Sequence, residues 1–134
     1  MKQFTLKIVT PDGVRYEGPA EEVVVRTTTG DMGIMADHIS TVAPLGMGRC
    51  TVVMEGERRY GACIGGMITV VGGNVNIVAT TFEWADQIDP ERAAASEERA
   101  RAVLSDKSAS DKAHRMAEAR LKRALVRSSV ARPM

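Results

Sequence analysis

A sandwich or flattened barrel of short antiparallel strands, followed by a two-helix hairpin, is the architecture this sequence predicts. Three observations carry it. Residues 1–86 are rich in Val, Ile, Gly and Thr, with apolar residues alternating as in strands that bury one face. Residues 87–134 contain little besides helix formers, and the change falls at Ile88-Asp89-Pro90-Glu91-Arg92-Ala93, where Asp89 suits a helix N-cap and Pro90 the first helical position. The charge also changes sign there, from 7 basic against 10 acidic residues to 11 against 7. Two domains are therefore expected, 1–86 and 87–134.

The elements follow in order. In Phe4-Thr5-Leu6-Lys7-Ile8 the apolar residues fall on one parity, giving a first strand that Pro11-Asp12-Gly13 turns. Glu22–Arg26 reads as a second strand. Arg49–Met54 leads through Glu55-Gly56-Glu57 into Arg58–Ile64 as a hairpin, and Met67–Val71, Gly72-Gly73-Asn74 and Val75–Ala79 form another. Strands this short and numerous bury their apolar faces by stacking as two layers. One helix is expected from Pro90 to about Leu104, a loop over Ser105–Ser110, and a second helix from about Asp111 to Val130.

The second helix repeats Ala113, Ala117, Leu121, Ala124, Leu125 and Ser128 at helical spacing. At about 0.8 kcal/mol per buried CH2, a stripe dominated by alanine holds its partner weakly, so the hairpin suits reversible docking. Arg92 and Arg99 share a face of the first helix; Arg120, Arg123 and Arg127 share one of the second. If the two faces meet, the like charges call for an anion, and a polyphosphate uses the guanidinium's planar fork well. A solvated basic helix and attachment to an acidic protein surface are the competing readings of the same residues.

Several classes are disfavoured. No stretch approaches the roughly 20 apolar residues of a membrane span, and Met1–Thr5 lacks the apolar core of a secretory signal, so a cytoplasmic location is expected. Cys50 and Cys63 form no CxxC and are expected as buried thiols; no metal site is expected. Asp37 and His38 are adjacent but lack the partners of a catalytic triad, so no catalytic residue is assigned. Gly65-Gly66 and Gly72-Gly73 are not followed by Lys-Ser/Thr and read as turn or close-packing positions rather than phosphate cradles. The basic last helix lacks aromatics from Lys112 onward, which argues against nucleic-acid or membrane-surface binding.

Taken in order, Val9-Thr10-Pro11-Asp12-Gly13, Thr29-Gly30-Asp31-Met32-Gly33-Ile34 with His38, Val42-Ala43-Pro44-Leu45, Ile64-Gly65-Gly66 and Ile88-Asp89-Pro90-Glu91-Arg92-Ala93 resemble the epsilon subunit of bacterial F-type ATP synthases. The resemblance runs from about Lys2 to the last helix and departs at Ser40, where many members have proline. It implies a ten-stranded β-sandwich and two helices. It also implies a non-catalytic coupling and regulatory subunit, peripheral on the cytoplasmic face of the cell membrane, bound to the gamma subunit, the c-ring and the alpha/beta catalytic head. No cofactor is obligatory.

In members whose hairpin binds ATP as a regulatory ligand, the determinant is an Ile/Leu-Asp-x-x-Arg-Ala motif with further arginines. Ile88, Asp89, Arg92 and Ala93 match it, Arg99, Arg123 and Arg127 fall at the arginine positions, and Glu83 matches an acidic position before the helices. The resemblance implies that the arginines hold phosphates while Glu83, Ile88 and Asp89 contact the adenosine part. It further implies that Gly30, Asp31, Met32 and His38 lie together at the end of the sandwich that meets the c-ring. A free-standing ATP-sensing adaptor is the alternative function.

Overall fold

The computed structural model describes residues 2–131. It divides after Trp84 into two units. The first holds β1 (Phe4–Thr10), β2 (Gly13–Ala20), β3 (Glu22–Thr27), β4 (Gly30–Met35), β5 (Thr41–Met54), β6 (Glu57–Val71) and β7 (Asn74–Trp84). These form one sheet in the order β2-β1-β7-β6-β5-β3-β4, antiparallel except for β1 beside β7.

That sheet folds back on itself. β2 lies against β5 although β1, β7 and β6 separate them in the hydrogen-bonded order, and the Trp84 indole N–H donates to the Arg15 carbonyl at 3.2 Å. The line of folding can be read from which side chains enter the core. In β5 the inward residues pass from Leu45 to Cys50 and Val52, in β6 from Cys63 to Ile68 and Val70, and in β7 from Val75, Ile77 and Ala79 to Phe82 and Trp84. Each strand thus changes inward parity once. Gly46, Gly65 and Thr80 fall out of the pairing at that line, yet the same register resumes beyond it. Gly65 (φ 70°) and Gly66 (φ 121°) supply the backbone conformation the line requires.

The expectation of about ten strands therefore becomes seven, three of which cross the fold and serve both layers. The parity change explains why Arg58–Ile64 and Met67–Val71 read as separate strands when they are one. β2, β4 and the first half of β5 were not expected at all. The core draws on all seven strands, with Leu6, Ile8, Val23, Ile34, Val52, Ile68 and Ile77 at 0 % exposure.

Cys50 and Cys63 lie in that core as free thiols. Burial pushes both thiols up, Cys63 to about 12. Because the thiolate is the reactive form, a thiol reagent at pH 8 is expected to label neither cysteine of the folded chain and both after denaturation. Mass spectrometry of the adducts checks this.

The second unit opens with a 3-10 turn, Ala85–Gln87, followed by α1 (Pro90–Ser105) and α2 (Asp111–Ala131). Pro90 starts α1 without wasting an N–H, and the Asp89 carboxylate accepts the N–H groups of Glu91 at 3.0 Å and Arg92 at 3.2 Å. The buried residues are Ala93 and Ala100 on α1 and Ala117, Ala124 and Val130 on α2. Counted from the loop, Ala93 and Ala124 are equidistant, as are Ala100 and Ala117, so an antiparallel pairing sets alanine opposite alanine at two levels. Among the described residues no helix is long and apolar enough to cross a membrane, and no group of three or more His, Cys, Asp or Glu side chains could hold a metal.

Candidate functional site

The alanine register fixes where the arginines go. Arg92 and Arg99 each precede an interface alanine of α1 by one residue, and Arg123 precedes Ala124 by one. In an antiparallel pair these positions flank the seam on the same side, because a step of about −100° on one helix mirrors the same step on the other. Arg127 and Arg120 follow Ala124 and Ala117 by three residues, which turns them to that side as well. Five guanidinium groups therefore line one side of the hairpin. Arg92, Arg123 and Arg127 lie at its open end, and Arg99 and Arg120 about two turns nearer the loop.

Two of the acidic side chains are spent elsewhere. Glu97 pairs with Arg101 at 3.0 Å and Glu118 with Lys122 at 3.9 Å, both within one helix and off the arginine side. Among the described residues Arg92, Arg99, Arg120 and Arg123 make no ion pair, whereas Arg127 has a partner. Arg92, Arg99 and Arg120 are exposed, and Arg123 and Arg127 half-buried. The Asp89 carboxylate shares the open end but is occupied in capping α1. Ile88 is buried at 6 % exposure. Glu83 belongs to β7 in the first unit and has a partner of its own.

The loop residues expected to form one contact are separated. Gly30, Asp31 and Met32 begin β4, while His38 lies beyond its far end, so a strand rising about 3.4 Å per residue stands between them. Asp31 is paired with Arg26 at 2.8 Å. His38 is held locally, its Nδ1 2.8 Å from the Ile39 carbonyl, and its neighbour Asp37, at φ 67°, pairs with Lys2 at 2.6 Å. The two groups thus flank β4, Gly30 to Met32 at its start and His38 three residues past its end.

One feature of the first unit went unread in the sequence. On the outer face of the sheet Pro44 stands beside Met67, Met67 beside Val78, Val78 beside Val9 and Val9 beside Val14. An apolar row thus crosses β5, β6, β7, β1 and β2. Val14 is 55 %, Met67 45 % and Val78 54 % exposed, and Val42 and Val71 flank the row. Exposed apolar side chains gathered on one face make it a candidate contact surface. Only strand register assembles this row, and the outward alternation Met67, Thr69, Val71 was the one hint of it.

Comparison with known proteins gives a consistent result. Residues 3–85 match the family model described as ATP synthase, Delta/Epsilon chain, beta-sandwich domain, and residues 86–132 the one described as ATP synthase, Delta/Epsilon chain, long alpha-helix domain. The chain is 40 % identical over 132 residues to a protein of Shouchella clausii named ATP synthase epsilon chain, covering 98 % of this chain and 97 % of that one. It is 42 % identical over 131 residues to the protein of the same name from Bacillus velezensis, covering 98 % of each. Among solved structures it is similar to a chain of the Euglena gracilis mitochondrial ATP synthase, determined as an OSCP/F1/c-ring assembly, with a TM-score of 0.86 and 26 % identity, covering 97 % of this chain and 82 % of that one.

Proposed function

The chain belongs to the ATP synthase delta/epsilon family, as an epsilon chain of the central stalk, and from that premise we propose that its hairpin is an ATP-responsive brake on ATP hydrolysis. The one-sided arginine cluster carries this reading. Like charges gathered on one side repel, and a bound triphosphate removes that repulsion by bridging Arg92, Arg99, Arg123 and Arg127 across both helices. Ile88 and Asp89 serve the adenosine end. With ATP bound the helices stay paired; without it the repulsion and the thin alanine seam favour separation. The freed basic helix then meets acidic surface on the alpha/beta catalytic head and blocks wasteful turnover.

The first unit is the anchor in this scheme. Its apolar row docks on the gamma subunit, and Gly30, Asp31, Met32 and His38 make the rotor contact with the c-ring. The protein then sits peripherally on the cytoplasmic face of the membrane, helps couple ion flow to synthesis, and performs no catalysis itself.

Two changes in the assembled complex test the division of labour. Deleting residues 88–134 is expected to leave co-purification with gamma intact while raising restrained ATP hydrolysis several-fold. Met67→Asp with Val78→Asp places two charges in the apolar row and is expected to abolish co-purification. Unchanged hydrolysis after the deletion defeats the brake. Loss of gamma binding after that deletion defeats the anchor, and with gamma retained by neither chain the free-standing ATP-sensing adaptor becomes the better reading.

A further inference from the structure

With Ala93 facing Ala124 and Ala100 facing Ala117, Arg127 stands level with Pro90, Arg123 with Ala94 and Arg120 with Glu97. From the open end the row of guanidinium groups therefore reads Arg127, Arg92, Arg123, Arg120, Arg99. It is drawn from both helices, its steps are two or three residues, about 3–4.5 Å, and it runs about 13 Å along the axis. The helical carboxylates keep off that side. Glu97 and Glu118 lie on the other side of the seam, and Asp111, six residues before Ala117, turns the same way as Glu118. Glu91 and Glu98 each precede a seam alanine by two residues, which turns them about 200° round α1 to its far side. Among the described residues Arg92, Arg99, Arg120 and Arg123 make no ion pair, and Arg92, Arg99 and Arg120 are exposed.

A chain of phosphates has the complementary form. Each phosphorus carries charge and a single bridging oxygen separates it from the next, so anionic centres recur at short, regular steps like those of the row, and each oxygen pair suits a guanidinium fork. A triphosphate has only three such centres and gathers the arginines by drawing their flexible stems together; a longer chain meets each guanidinium near where its helix places it. An extended acidic peptide fits less well, because carboxylates on one face of a strand recur at every second residue, about 7 Å apart. We propose that this row binds linear inorganic polyphosphate, with Arg120 as a contact that the longer chain makes and ATP does not. This deepens the ATP reading above and rests on the same arginine row, yet the two ligands are told apart by Arg120.

The test is calorimetry on the full chain with ATP, tripolyphosphate, medium-chain inorganic polyphosphate and poly-glutamate at matched ionic strength. Polyphosphate is expected to bind at least ten-fold more tightly than tripolyphosphate, and poly-glutamate at least ten-fold more weakly than polyphosphate. Arg120→Ala, an exposed position outside the alanine seam, is expected to weaken polyphosphate about ten-fold while changing ATP and tripolyphosphate by less than about two-fold. The salt dependence of polyphosphate binding should fall in that variant by about one phosphate contact. Arg101→Ala, off the row and paired with Glu97, is expected to change none of these. Polyphosphate no tighter than tripolyphosphate, poly-glutamate binding as well as polyphosphate, or equal losses in Arg101→Ala and Arg120→Ala each overturn the inference, and ATP binding in the same titrations leaves the nucleotide reading standing. Polyphosphate binding with this dependence on Arg120, but without any binding of ATP, upholds the inference and defeats the nucleotide reading.

Discussion

Gly66→Ala is expected to destabilise the sandwich by about 4 kcal/mol, combining backbone strain with overpacking against main-chain atoms. A Cβ there would lie 2.0 Å from the Val78 carbonyl oxygen and 2.8 Å from the Ala79 Cα, at a φ of 121°. Neither contact is a side chain that can swing away. Residue 66 also sits on the line where three strands change inward parity, so a backbone shift that relieved the clash would move Leu45 and Ala79 out of the core. Gly73→Ala is the control, since nothing lies within 4 Å of its added Cβ, and it is expected to be nearly neutral. Urea unfolding of both variants followed by the Trp84 fluorescence decides the matter. Equal midpoints for Gly66→Ala and the parent chain would show that the fold line does not depend on this residue.

The same line marks the limit of what the sequence discloses about the fold. Alternation is read within one strand, and Leu6, Ile8, Ile68, Val70, Val75 and Ile77 obey it because each sits on a stretch that keeps one parity. Where parity changes, as from Cys63 to Ile68, a single long strand looks like two. β2 escapes because it is an edge strand whose residues are largely exposed, and the start of β5 because Pro44, Gly46 and Gly48 interrupt its apolar pattern. The helices were legible almost to the residue, since Asp89, Pro90 and Ser110 are strong local signals.

The candidate sites divide along the same boundary. Spacings of three, four and seven already grouped the arginines by helix, whereas the side of the hairpin they share follows only from the alanine seam. The Pro44–Met67–Val78–Val9–Val14 row was beyond reach, because its members come from strands far apart in the chain and meet only through register.

Replacing Arg92 or Arg123 by alanine is expected to weaken ATP binding to the isolated chain by at least ten-fold each. A hydrogen-bonded charge pair with phosphate is worth about 1.5–3 kcal/mol, and 1.4 kcal/mol is a factor of ten. The two sit on different helices at neighbouring levels of the open end, so a triphosphate that bridges them couples their losses. A double-mutant cycle by calorimetry should then depart from additivity by 0.5 kcal/mol or more. Arg101→Ala separates this from a general effect of charge. Arg101 lies off the cluster and is paired with Glu97 at 3.0 Å, so its removal lowers the net charge equally yet is expected to leave affinity unchanged. If all three substitutions weaken binding alike, the positive charge of the hairpin acts as a diffuse field and its one-sided geometry is incidental. If only Arg92 and Arg123 do, the seam of alanines that aligns them is itself part of the nucleotide site.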